Sequence, residues 1–209
     1  MTTPSLNKKL KKGQATREKI IEEAIDLFFE LGFAEASTRM LVQRVGMTSS
    51  AIYNHFEDKE QILFIIIRRT GEKVLSALRE IDQEFEDPAE CLRNFITRML
   101  YFFKEGEAKK EIAIFIEQVY YLSGEYKEKC YQQHREIFEL FQTKVRELRI
   151  QKQSNPISDT VAAFGILGAM NWVYLWFKDD GAMTIEDIAE DLSRLLLNGL
   201  FPGPGKSIS

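Results

Sequence analysis

Apolar residues recur at three- and four-residue steps through almost the whole chain, and no stretch alternates apolar with polar as a half-buried strand would. The pattern predicts an all-α protein. Ile20, Ile21, Ala24, Ile25, Leu27 and Phe28 make one buried stripe, so a helix is expected over 16–31, opened by Thr16 and closed at Gly32. Leu41, Val42 and Val45 make a shorter stripe that Thr38 caps and Gly46 ends. Ile52 and Phe56 make a third, capped by Thr48, and Asp58 opens a long helix through Ile62, Leu63, Ile66 and Ile67 to about residue 85. Pro88 suits a first helical position, which gives a helix over 87–104 with Leu92, Phe95, Ile96, Met99, Leu100 and Phe103 inward. Further helices are expected over 108–122, 124–152, 157–178 and 184–200, the last opening on Thr184 and Asp187 at capping-box spacing.

Two short helices joined at a glycine and followed by a third form a DNA-reading device. With Ile52 and Phe56 turned toward the preceding helix, Ser49, Ser50, Tyr53, Asn54 and His55 fall on the outer surface or at the ends of the second one. A helix with such a small polar face can enter a major groove about 12 Å wide, while Tyr, His and Lys side chains at its end, Lys59 among them, reach phosphates. Thr38 and Thr48 sit at the two helix starts, and Arg39 is a candidate for base or phosphate contact. The order Ser37-Thr38, Leu41-Val42, Gly46-Met47-Thr48, Ile52-Tyr53, His55-Phe56 and Lys59-Glu60 resembles the helix-turn-helix signature of the TetR family of bacterial transcriptional repressors. The likeness departs at Ser50-Ala51, where the family often carries Gly or Pro followed by Thr, and at Val42, where it carries a small Ala. Base preference therefore does not transfer.

Composition agrees with this reading. The 209 residues, 44% of them hydrophobic, suffice for a sizeable core in one or two domains, and the net charge of -4 argues against a protein that coats nucleic acid everywhere. Positive charge is concentrated in residues 1–19, where Lys8, Lys9, Lys11, Lys12, Arg17 and Lys19 face Glu18 alone. Residues 1–14 then read as a flexible basic arm, either a solvated tail or one that settles on phosphates. The helix-turn-helix domain is expected over 15–60, a helical ligand-binding and dimerisation domain over 61–201, and a loose tail over 202–209. No apolar stretch is long enough for a membrane span or a signal peptide, so no membrane partner and a cytoplasmic location are expected. Cys130 and His134, four residues apart, do not by themselves make a metal site. Gly205-Lys206-Ser207 echoes the end of a phosphate loop, yet Leu200 stands where its first glycine belongs. No metal, no cofactor and no catalytic set are expected, since His55 lies in the reader and His134 on a charged helix.

The domain behind the reader is rich in aromatics. Core explains most of them singly; as a group they point to a ligand cavity between helices. Its candidate lining is Phe102, Phe103, Tyr120, Tyr121 and Phe138, with Asn171, Trp172 and Trp176 from the penultimate helix. Tyr120, Tyr121, Asn171 and Trp172 put hydrogen-bonding tips on apolar bodies, suited to a mainly apolar effector with a polar end. Ala162, Ala163, Gly165, Gly168 and Ala169 on the penultimate helix allow close approach, and Ile185, Ile188, Leu192, Leu195, Leu196 and Leu200 stripe the last. Two such helices per subunit would build a four-helix homodimer interface, as the resemblance implies, and set two readers about 34–36 Å apart on palindromic double-stranded operator DNA. The segment LGAMNWVYLWFKDDGAMTIEDIAEDLSRLLLNGL, with YQQHREIF upstream, is similar to TetR-type regulators of fatty-acid or sterol degradation induced by acyl-CoA thioesters. That similarity implies a small-molecule effector whose acyl chain lies among the aromatics, with Arg135 or Lys127 facing the coenzyme A phosphates; helical spacing by itself favours Arg135 in a surface pair with Glu139 one turn on. The effector expected is thus an acyl-CoA or a fatty acid; a multidrug-type regulator of aromatic or cationic compounds, and a DNA-binding protein without ligand, are the alternatives.

Overall fold

The computed structural model describes residues 4–104, 106–153 and 157–200. The tail over 202–209, with its phosphate-loop echo, lies outside the described residues. The chain is all-helical: α1 (Pro4–Glu35), α2 (Thr38–Val45), α3 (Ser49–Tyr53), α4 (Lys59–Glu84), α5 (Pro88–Tyr101), α6 (Gly106–Glu117), α7 (Gly124–Lys152), α8 (Asp159–Trp176) and α9 (Ile185–Leu200), with one 3-10 turn at Val119–Tyr121 between α6 and α7. Among the described residues there is no strand.

Most helix starts follow from side chains that accept the first orphan N–H groups. Thr48, Asp58 and Asp87 accept from the backbone N–H of Ala51, Gln61 and Glu90, and Pro88 occupies the first turn of α5. At α9 the box closes both ways, Thr184 Oγ1 accepting from Asp187 N–H at 3.1 Å and the Asp187 carboxylate accepting from Thr184 N–H at 3.0 Å. Two expected caps differ. The cap of α2 is Ser37, which accepts from Met40 N–H, and Thr38 is the first helical residue. Thr16 opens nothing: its hydroxyl donates back to Lys12 O at 3.0 Å inside α1, which runs from Pro4. Leu6, Leu10 and the intervening lysines continue the helical pattern, and Gly13 alone does not break it. Gly32, with φ 76 and ψ 157, breaks α1 near the expected place, after which one more turn leads to Glu35. The helix expected over 108–122 stops at Glu117, because Gln118 leaves helical geometry and the chain tightens into the 3-10 turn.

Ile20, Ala24, Phe28, Leu41, Val45, Ile52 and Phe56 close the core of α1–α3 against the start of α4. Phe95, Phe103 and Phe141 are fully buried in the domain behind, where α4 and α5 pack on α7, and α5 on α9. Several bonds tie the two parts. Arg69 of α4 clamps Glu18 of α1 through two bonds of 2.5 and 2.8 Å, and Lys110 of α6 meets Asp26 at 2.5 Å. Glu60 accepts from both the backbone N–H and hydroxyl of Ser123, and Phe64 stacks on Tyr126 with ring centres 4.4 Å apart. No helix among the described residues is long and apolar enough to cross a membrane.

Candidate DNA-binding surface and effector cavity

Gly46 makes the turn between α2 and α3. Its φ of 71 and ψ of 33 are left-handed, and its N–H bonds Val42 O at 3.1 Å, which ends α2 and lets the chain reverse into the Thr48 cap. Ile52 is buried against Leu41 and Val45, so the rest of the short α3 is turned outward. Arg39, Thr48, Ser49, Ser50, Tyr53 and Asn54 are exposed, while Thr38 and His55 are half-buried at the edges of that face. Tyr53 Oη donates to Thr38 Oγ1 at 3.3 Å, joining the two helices across the front, and the Thr48 and Ser50 hydroxyls lie 3.0 Å apart. Thr48 therefore spends its hydroxyl on its own helix and its neighbour.

Lys59 is placed differently from expectation. Its ammonium donates to Phe33 O at 2.6 Å and Ala36 O at 2.7 Å and sits 4.1 Å from the centre of the Phe33 ring. Burial pushes its pKa down. It closes the carbonyl end of α1, with two of three N–H groups committed, rather than standing on the outer face. Lys19 does the same for α2, donating to Val45 O at 3.1 Å, and the Arg17 guanidinium lies 4.9 Å from the centre of the Phe56 ring. Two residues counted with the basic run thus brace the reader. Their only signal in sequence is a cation one or two turns from an apolar stripe, which does not distinguish a brace from a phosphate contact.

A cavity of about 280 Å³ opens between α5, α6, α7 and α8. Met99, Phe115, Ile116, Ile137, Phe138, Phe164 and Leu167 form its apolar wall, with Gly168, Asn171 and His134. Of the expected lining, Phe138 and Asn171 are there. Phe103 is fully buried core and Phe102 is buried beneath the Arg98 guanidinium, 5.1 Å from its ring centre. Tyr120 and Tyr121 are exposed on the 3-10 turn, where Tyr121 meets Phe33 of α1 at 5.5 Å, so they belong to the domain junction. Arg135 is exposed on α7 and does not line the cavity. Trp172 and Trp176, 67% and 49% exposed, lie on the solvent face of α8 with Val161, Phe164 and Leu175. Helical spacing puts these on one face with exposed Gly165 and Gly168; Phe164 and Gly168 also form the rim of the cavity, whereas the tryptophans lie beyond it on the surface.

His134 was legible only as half of a weak metal pair with Cys130. Its ring lies 4.1 Å from that of Phe115, its Nε2 is buried with no protein partner, and burial pushes its pKa down to about 4. The imidazole is therefore neutral at pH 7. Cys130 is fully buried, and burial raises its thiol to about 11. Among the described residues no group of His, Cys, Asp and Glu is placed to hold a metal. Gln118 is the second residue that pattern reasoning missed: buried at the end of α6, it donates to Phe28 O of α1 at 3.0 Å, two residues beyond the cavity wall at Ile116.

Residues 20–65 match the family described as bacterial regulatory proteins, tetR family, and residues 86–200 match the tetracyclin repressor-like C-terminal domain. The transcriptional repressor KstR2 of Rhodococcus jostii is 23% identical over 186 residues, 88% of this chain and 90% of that protein. The repressor Rv1474c of Mycobacterium tuberculosis is 37% identical over 60 residues, 29% of this chain and 32% of its own. Among solved structures, AibR in complex with isovaleryl coenzyme A and operator DNA superposes with a TM-score of 0.81 at 26% identity, covering 90% of this chain and 99% of that one.

Proposed function

Because this chain belongs to the TetR family and is a DNA-binding transcriptional regulator rather than an enzyme, we propose that it is a cytoplasmic, dimeric repressor released from its operator by a largely apolar effector carrying an acyl group. The observation that carries the reading is the continuity from cavity to reader. Phe115 and Ile116 wall the cavity on α6, and Gln118, the residue that follows this helix, holds the Phe28 carbonyl of the helix that braces α2 and α3. Lys110 and Asp26 fix the two helices at a second point. An effector that pushes on the α6 wall moves α1, and α1 carries the reader.

Ser49, Ser50, Tyr53 and Asn54 are the residues assigned to bases and backbone, with Arg39, Thr38, Thr48 and His55 around them; Lys59 supports the reader from behind. The exposed apolar face of α8, with Leu195 of α9, is assigned to the second subunit, since a patch of this kind is unusual on a monomer. The resemblance to a protein whose structure holds isovaleryl coenzyme A supports an acyl effector, as does the apolar lining. Linkage requires that operator and effector weaken each other by the same factor. Fluorescence anisotropy on the palindrome nearest the protein's own gene, titrated with acyl coenzyme A thioesters from four to twelve carbons, tests this. Release by a subset of chain lengths is expected; operator binding unaffected by all of them sinks the acyl effector, and failure to bind any palindrome sinks the repressor.

A further inference from the structure

We infer that the cavity between α5, α6, α7 and α8 selects a short acyl group through its uncharged carbonyl, which His134 and Asn171 hold, and rejects the same chain as a free carboxylate. The inference rests on the proposed acyl-responsive function and names the chemistry that the cavity would recognise. Its lining has two polar side chains, His134 and Asn171, among aromatic and aliphatic ones, and no Lys, Arg, Asp or Glu. The Nε2 atom of His134 is buried without a partner, a costly arrangement that a ligand acceptor would relieve once a small shift of the cavity wall opens the atom to it. The Phe115 ring lies 4.1 Å from the imidazole, tilted against it.

Charge decides the ligand class. With the imidazole neutral, a carboxylate entering this cavity would meet no cation, and burying an uncompensated charge costs far more than one hydrogen bond returns. A thioester, ester or amide carbonyl brings an acceptor without a charge. Neutral imidazole can place its proton on Nε2 and donate, and the Asn171 carboxamide supplies a second donor. Size limits the rest: about 280 Å³ falls just below the ~300–1,000 Å³ of sites for drug-sized ligands. The cavity therefore takes an acyl group and not the whole of a coenzyme-linked thioester.

Isothermal titration of the full-length protein at pH 7 with S-isovaleryl- and S-hexanoyl-N-acetylcysteamine, against isovalerate and hexanoate, separates the carbonyl from the charge and from any coenzyme. The thioesters are expected to bind at least tenfold more tightly than the acids. His134→Phe, which keeps the ring shape, should weaken thioester binding about tenfold while operator affinity and dimer mass stay unchanged. His134→Gln should restore part of the loss, and Asn171→Leu should reproduce it; these two carry the test if His134→Phe fails to fold. Equal thioester affinity in wild type and the folded variants overturns the anchor while leaving the repressor and its acyl effector standing, because the thioester would still bind. Acids binding as tightly as thioesters overturn the selection for an uncharged head. No binding of any of the four probes by the wild-type protein overturns the inference, and the anisotropy titration with acyl coenzyme A thioesters, run alongside, shows whether the acyl effector and operator binding survive it.

Discussion

In the reader, Phe28 and Phe56 point into a small core and the outer face of α3 carries hydroxyls, a phenol and an amide; in the domain behind it, Phe95, Phe103 and Phe141 are buried while Phe164, Trp172 and Trp176 stand in solvent. The reader keeps apolar surface off its working face, since a groove lined by phosphates and base edges rewards hydrogen bonds and charge. The rear domain carries apolar side chains on its surface as well, on the face of α8 assigned above to a second subunit. Aromatic content therefore carries different meanings in the two regions: core at Phe28 and Phe56 and an exposed phenol at Tyr53 in the first, and core, cavity wall or exposed α8 surface in the second.

The contrast within the rear domain is the one with the largest expected effect. Phe95, whose ring centre lies 5.0 Å from that of Phe141, is fully buried, and Phe95→Ala should cost about 3–5 kcal/mol of unfolding free energy. Denaturant titration should show the midpoint fall, with operator binding lost alongside. Trp172→Ala should leave the subunit fold nearly intact and weaken dimer formation by roughly 2 kcal/mol, read by sedimentation equilibrium. A Trp172 variant that unfolds as readily as the Phe95 variant would break the distinction between core and surface aromatics.

The unfolded chain takes up a proton at His134 near the ordinary value of 6.5, whereas the folded imidazole resists until about 4. The contribution of the buried neutral ring is complete above pH 6.5 and is lost as pH falls toward 4, amounting to roughly 2 kcal/mol by pH 5. His134→Phe should lack this part of the acid limb; identical pH profiles for variant and wild type would mean that the ring is not held neutral.

Lys59 sharpens the comparison at the reader itself. Lys59→Met leaves the Phe33 and Ala36 carbonyls without their donor and should cost about 1–3 kcal/mol of stability. The salt dependence of operator binding should not change; a slope reduced by about one charge would return Lys59 to the phosphate contacts. The smallest effect separates two adjacent residues. Ser37→Ala removes the α2 cap at about 1 kcal/mol, whereas Thr38→Ala should leave the melting temperature almost unchanged and lower operator affinity, since it breaks only the contact with Tyr53.

Periodicity alone determined that the chain is all-helical, where most helices begin, and that Gly46 turns between two short helices, because these features depend on residues within a turn or two of each other. It also determined the outward residues of α3, whose opposite side must be apolar to pack. What only the tertiary structure decided depends on neighbours distant in sequence. Lys59 and Lys19 became braces because carbonyls 26 residues away in each case lie beneath their ammonium groups. Trp172 and Trp176 were legible as large apolar residues on a helix; which face of α8 meets α7 and which meets solvent was not, because a helix that is apolar nearly all round carries no sidedness in its own pattern. His134 gave no local sign of being a neutral, unpartnered base beside an apolar cavity, since that state arises from Phe115 on α6 and the helices that close around it.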